Sequence, residues 1–370
     1  MRENLKNLCA YVPEATLDEV KKKYDLKKVY RLSANENPYG TSKKVEEAVK
    51  NWNFSESNRY PDGYAQKLRT AIAKHIGCKE SQLILGVGLD EIIAILSRTF
   101  LDQGDEVIVS DPTFSEYELN ALIEGAVVKH AKCSEETGKT DFEAMLSEMT
   151  DKTKMIWICN PNNPTGALNP VEEIDAFLAK VPKDVIVLID EAYIEFADGN
   201  QTAVGLLSKY DNAAVMRTFS KIYGLANYRV GYIVMSSEPG NVLQTVRCPY
   251  NLNSLSQTAA LAALSDQEFV EKCARKNALE REKLEKFFEE NDIFYFKSQA
   301  NFVFFKFEDA EKLAEYLLKH GYQVRRGLRK DWLRVTIGKK KENAELMRLI
   351  LQYHNEKRKQ LLILKRLTSF

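Results

Sequence analysis

The chain has 370 residues, 53 Lys+Arg balanced by 53 Asp+Glu, and 44% hydrophobic residues. That length implies one large domain with a smaller one, and the zero net charge gives no ground for a nucleic-acid or membrane-surface partner. No apolar run nears the roughly 18 residues of a spanning helix, the first residues lack a signal-peptide core, and six scattered cysteines without a C-x-x-C pair favour reduced thiols over a zinc site or disulfide framework.

Residues 1–32 read as an N-terminal arm with one helix at 17–24. SANENPYG (33–40) is a loop, punctuated by Pro38 and Gly40. A short helix is expected at 45–52, then the turn NRYPDG (58–63) with Tyr60, then an amphipathic helix at 64–76. A strand at 82–85 runs into GVGLDE and a helix from about Asp90. Glycines between a strand and a helix N-terminus suit a phosphate, because free N–H groups point outward there; Gly86, Gly88 and Leu89 would act through their backbone. The strand at 106–110 ends at Asp111-Pro112, and PTFSEY offers the aromatics Phe114 and Tyr117. A strand follows at 127–131, and Thr140 to Glu143 reads as a capping box opening a helix to 148.

The apolar strand at 154–159 delivers NPNNPTG (160–166), with Asn163, at its carboxyl end, where ligands of open α/β sheets bind. After a helix at 171–179, five apolar residues at 185–189 deliver Asp190. A carboxylate there is costly unless paired; a protonated ring nitrogen, a helix cap or an arginine would each serve. Strands alternating with helices from 82 to 235 imply a mostly parallel sheet. A long charged helix (267–291) begins a second, α+β part with strands at 293–297, 302–307, 323–326 and 333–337 and a helix at 310–320. The basic tail EKRKQLLILKRLTSF (356–370) either extends the last helix or frays.

The stretch RTFSKIYGLANYRVGY (217–232) carries the chemistry. Lysine makes Schiff bases with carbonyl compounds, and hydroxyls with an arginine fork suit a phosphate. Lys221 among Thr218, Ser220 and Arg229 therefore fits an aldehyde cofactor bearing a phosphate, pyridoxal phosphate (PLP). Ser-Lys alone would be an ordinary surface pair.

TFSKIYGLANYRVGY resembles the lysine segment of fold-type I PLP aminotransferases, most closely that of the histidinol-phosphate aminotransferases. SANENPYG, NRYPDG, NPNNPTG, IDEAYIEF (189–196), PYNLNSLS (249–256) and LRVTIG (333–338) match in the same order, covering nearly the whole chain to about Lys357. The resemblance implies an α/β fold: a large PLP-binding domain (33–260), with a mostly parallel sheet, and a small α+β domain (261–356), joined by the arm (1–32) and followed by a tail (357–370). It implies a cytoplasmic homodimer with shared active sites and small-molecule substrates.

The same resemblance assigns roles. Lys221 carries the cofactor and moves the proton, Asp190 holds the ring nitrogen, and Asn163 and Tyr193 meet the ring oxygen. Phe114 stacks on the ring, as tyrosine does in many relatives. Gly88, Leu89, Asp90, Thr218, Ser220, Arg229 and the neighbouring subunit's Tyr60 hold the phosphate, with Leu89 standing where a small residue is common. Asn35, Arg325 and Arg334 contact substrate. Arg325 is the best match among Arg325, Arg326 and Arg329 for reading a substrate phosphate. The expected reaction exchanges histidinol phosphate and 2-oxoglutarate for imidazole acetol phosphate and glutamate. An aromatic aminotransferase or a phosphothreonine decarboxylase on the same fold are the near rivals. A non-catalytic effector module is disfavoured, because the chain shows no added DNA-binding segment and no basic charge.

Overall fold

The structure, a computed structural model, describes residues 2–6, 8 and 13–367, the side chains of 237–238 and 358–367 excepted. Part of the expected arm and the end of the expected tail lie outside these residues. Eleven strands are formed: β1 (Tyr30–Leu32), β2 (Leu83–Gly86), β3 (Glu106–Asp111), β4 (Val127–Lys132), β5 (Thr153–Cys159), β6 (Ile186–Asp190), β7 (Ala213–Thr218), β8 (Gly231–Met235), β9 (Phe302–Lys306), β10 (Tyr322–Val324) and β11 (Trp332–Thr336).

Seven of them build one sheet in the order β2-β8-β7-β6-β5-β3-β4. Only β8 runs against its neighbours; the other pairings are parallel. Strands β6, β7 and β8 are almost wholly buried, as near-continuous apolar runs covered on both faces should be. The register sets Cys159 beside Asp190 and Asp190 beside Met216. The carboxyl ends of β5, β6 and β7 thus form one rim, which carries the loops of Asn163, Tyr193 and Lys221. The fold is the expected α/β architecture with a large, mostly parallel sheet.

A second core gathers Leu284, Phe288, Phe305, Leu313, Leu333 and Leu346. Here β9 and β11 pair antiparallel, β1 and β10 pair parallel, and a bridge between Arg325 and Arg334 links the two pairs. The arm thus contributes a strand of its own. The helix Lys340–Leu367 runs on through the tail as far as the structure is described.

Four local expectations need correction. The helix after β2 starts at Gly88, not near Asp90. Thr140 does not cap: its hydroxyl meets Ser110 and its N–H meets Asn169, while Asp141 caps the helix Phe142–Ser147. Residues 293–297 form no strand, only a bridge from Tyr295 to Phe305. An additional helix, Ser237–Val246, follows β8.

Candidate active site

Lys221 sits just past β7 in a partly buried position, and its Nζ donates to the Ala34 carbonyl at 3.2 Å. That carbonyl belongs to the SANENPYG loop, so two distant motifs meet at this amine. Burial, reinforced by the Arg334 guanidinium, pulls the lysine down to about 8. An ammonium that is costly to keep charged is one that gives up its proton near neutral pH.

Asp190 ends β6 and is 3% exposed. Its Oδ2 accepts from the Tyr117 hydroxyl at 2.6 Å, and its Oδ1 from the Ala192 N–H at 2.9 Å. Burial pushes the carboxyl up to about 6, against the pull of these two donors. No arginine or lysine forms an ion pair with it among the described residues, so a cationic partner would relieve a real cost. Tyr117 is fully buried and stacks on Trp157, ring centroids 4.4 Å apart. Phe114, three residues earlier, meets Tyr117 edge-on at 5.6 Å. Sequence reasoning named Tyr117 only as an aromatic; its spacing from Phe114, close to one helical turn, was the available signal.

The turn expected to take a phosphate lies at the start of the helix Gly88–Phe100, whose first N–H groups lack a side-chain cap. Arg229, in left-handed backbone at φ 52°, reaches over this end. Its Nη1 donates to Ser220 Oγ at 3.4 Å and its Nη2 to Asp90 Oδ2 at 2.8 Å. A Cβ on Gly88 would meet the tip of that guanidinium, and Gly88 itself has φ 74°, a left-handed conformation that favours glycine. Thr218 accepts the Ser220 N–H at 3.0 Å, and both residues are buried. Gly86 stays on the strand, where an added Cβ would strike Ile92. Leu89 packs its side chain into the large core.

Across the rim, Asn163 accepts a hydrogen bond from Arg334 Nη1, and Arg334 Nη2 donates to the Ser33 carbonyl at 2.7 Å. Tyr193 accepts from Asn35 Nδ2 at 3.0 Å. Asn35 is itself tied down, receiving the Thr336 hydroxyl on Oδ1 at 3.0 Å and donating its N–H back to that oxygen at 3.0 Å. The structure thus brings Lys221, Asp190, Asn163, Tyr193, Asn35 and Arg334 together, with Thr218, Ser220, Arg229 and the Gly88 turn beside them. The other arginines diverge: Arg325 pairs with Glu14, Arg326 with Glu311 and Arg329 with Glu135. Tyr60 is exposed, its ring stacked on Tyr250 at 4.8 Å.

A family model, aminotransferase class I and II, matches residues 27–350. The chain belongs to this family. Among class I and II aminotransferases, a histidinol-phosphate aminotransferase of Lactiplantibacillus plantarum is 49% identical over 95% of this chain and 99% of its own. Histidinol-phosphate aminotransferase 1 of Bacillus cereus is 43% identical over 96% of this chain and 97% of its own. A crystal structure of the Sinorhizobium meliloti histidinol-phosphate aminotransferase in complex with pyridoxal-5'-phosphate superposes with a TM-score of 0.84 at 22% identity, covering 94% of this chain and 95% of that one; it attests the fold. PLP is the cofactor of the family. The residues here fit it: a buried carboxylate without a cationic partner, an amine of lowered basicity, and an arginine over an uncapped helix end.

Proposed function

We infer that this chain transfers an amino group from histidinol phosphate to 2-oxoglutarate, giving imidazole acetol phosphate and glutamate, a step of histidine biosynthesis. The observation that carries the reading is Lys221, which meets the Ala34 carbonyl and whose amine is drawn down to about 8 by burial and by Arg334, in a chain 49% identical to a histidinol-phosphate aminotransferase over almost its full length.

When bound, PLP supplies the carbonyl that takes the amino group and a ring that draws electrons from the neighbouring carbon. Lys221 Nζ takes and returns the proton at that carbon as general base and acid, its pKa lying close to working pH. Asp190 keeps the ring nitrogen's proton in place, and Tyr117 orients Asp190. Asn163 and Tyr193 donate to the ring oxygen. The N–H groups at Gly88, Leu89 and Asp90, with Thr218, Ser220 and Arg229, hold the phosphate, and Phe114 covers the ring. Arg334 and Arg325 bind the substrate's anionic end. We assign Asn35 to positioning Tyr193, since its amide group is engaged there, in place of direct contact with substrate.

The exposed, mutually stacked Tyr60 and Tyr250 favour a homodimer in which Tyr60 completes the partner's phosphate site, since exposed aromatic surface calls for a covering surface. Two main cores support a large and a small domain, with Leu32 of the arm packed in the smaller one, although Ala263, Leu264, Val270 and Cys273 extend the larger core past the expected boundary at 260. Free thiols at the five described cysteines suit a cytoplasmic location; no described helix is long and apolar enough to cross a membrane. The test is a half-reaction screen, in which donors are added singly and the cofactor absorbance is followed. Histidinol phosphate should convert the cofactor faster than phenylalanine or tyrosine, with 2-oxoglutarate restoring it. Faster conversion by the aromatic amino acids, or release of carbon dioxide from phosphothreonine, would overturn the assignment.

A further inference from the structure

Glu14 lies in the N-terminal arm, 311 positions from Arg325, yet its Oε1 accepts from Arg325 Nη1 at 3.2 Å. Its Oε2 accepts from Ser33 Oγ at 2.5 Å. The two charged side chains are 17% and 26% exposed, so this pair is largely withdrawn from water. Two further contacts hold the arm here: Gln323 Nε2 donates to the Ala15 carbonyl at 3.2 Å, and Thr16 and Glu19 form a capping box that starts the next helix.

The surroundings are built for an anion. Arg325 and Arg334 exchange both backbone hydrogen bonds, each at 2.9 Å. Residues paired in this way on antiparallel strands send their side chains to the same face. Arg334 is buried and donates to the Ser33 carbonyl and the Asn163 amide oxygen. Ser33 thus touches Arg334 with its carbonyl and Glu14 with its hydroxyl, while the carbonyl of the next residue, Ala34, receives Lys221 Nζ. The Glu14 carboxylate thus holds the Arg325 guanidinium and the Ser33 hydroxyl, and Ser33 is shared with Arg334.

We propose that Glu14 is an internal stand-in for the anionic end of the donor, and that the substrate's phosphate monoester displaces its carboxylate from Arg325 and Ser33. The proposal rests on the reading of Arg325 as the phosphate-reading arginine. A phosphate brings about 1.5–2 negative charges and three acceptor oxygens, enough to engage both guanidiniums and the Ser33 hydroxyl together. The Glu14 carboxylate reaches one of each. While no phosphate is present, Glu14 spares Arg325 the cost of a half-buried, unpaired charge. Its release also frees the arm segment 13–16 from one of its anchors on the small sheet. Glu14 then sets the cost of binding a phosphate: a phosphorylated donor must displace it, and a donor with a neutral hydroxyl leaves it in place.

The test uses the holoenzyme of wild type, Glu14→Gln, Glu14→Asp and Arg325→Ala. The KM is measured for histidinol phosphate and for histidinol, the same donor without its phosphate, and inorganic phosphate binding is measured by calorimetry. Removing a charged competitor worth the lower end of a charge-assisted hydrogen bond should tighten Glu14→Gln binding of inorganic phosphate about tenfold. The KM for histidinol phosphate should fall with it, and that for histidinol should not. Glu14→Asp, which keeps the charge, should retain the weak phosphate binding of wild type; a merely structural role for Glu14 would not separate the two variants. Unchanged phosphate affinity in Glu14→Gln, with Arg325→Ala selectively impaired on histidinol phosphate, overturns the stand-in alone. Equal losses of Arg325→Ala on both donors overturn the underlying reading of Arg325.

Discussion

Replacing Tyr117 by phenylalanine removes one hydroxyl and leaves the ring to stack on Trp157 as before. What is lost is the 2.6 Å donor to Asp190 Oδ2. A hydrogen bond to a charged group contributes about 1.5–3 kcal/mol, and one pKa unit corresponds to about 1.36 kcal/mol. The donor favours the ionised carboxylate, so its loss should raise Asp190 from about 6 by roughly one to two units. Only the ionised carboxylate can pair with a protonated ring nitrogen. In wild type, PLP affinity should therefore be flat above about pH 6 and weaken below it. In Tyr117→Phe the break should move upward, so that the variant loses cofactor at neutral pH while matching wild type in alkaline buffer. The assay is the PLP dissociation constant of the apoenzyme by fluorescence titration from pH 5 to 9. An unmoved break, or a uniform loss of affinity at every pH, would refute the reasoning: the hydroxyl would then be a packing element and not a tuner of the carboxylate.

Lys221→Ala should abolish both turnover and borohydride-fixed cofactor; peptide mapping that finds the cofactor on another lysine in the wild type would overturn the assignment. Mixing two inactive proteins, Tyr60→Ala and Lys221→Ala, should restore partial activity, because one hybrid site would hold both residues. Absence of recovery, with subunit exchange demonstrated by mass spectrometry, would remove Tyr60 from the site.

The parts of the site visible in the sequence share a form: an apolar strand ends, and a polar residue follows at once. Asp190 after Ile186–Ile189 and Lys221 just beyond Ala213–Thr218 stand out because burial makes their presence expensive. Local motifs of this kind also located Asn163 and the Gly88 turn. Tyr117 was opaque for the opposite reason. A buried tyrosine reads as core, and its partner lies 73 positions away. Contacts such as Glu14 with Arg325 have no local signature at all. The expected strand at 293–297 is a continuous apolar and aromatic run with only one bridging partner, and a strand needs a ladder to exist. The helix Ser237–Val246 carries a proline and a glycine in its first turn, where a proline is tolerated but a sequence pattern reads as a break.

The knot at Asn35 has a mechanical consequence. This residue is held in left-handed backbone and bonds forward to Tyr193 on the large sheet's rim and backward to Thr336, the last residue of β11. Its carbonyl also takes the Asn301 amide at 3.0 Å. These bonds are short and buried, so the small sheet cannot shift by an ångström without tugging on the tyrosine. Asn35 thus ties the end of β11 to the rim of the large sheet, and any displacement of the small sheet would be passed to the Tyr193 hydroxyl through this one side chain.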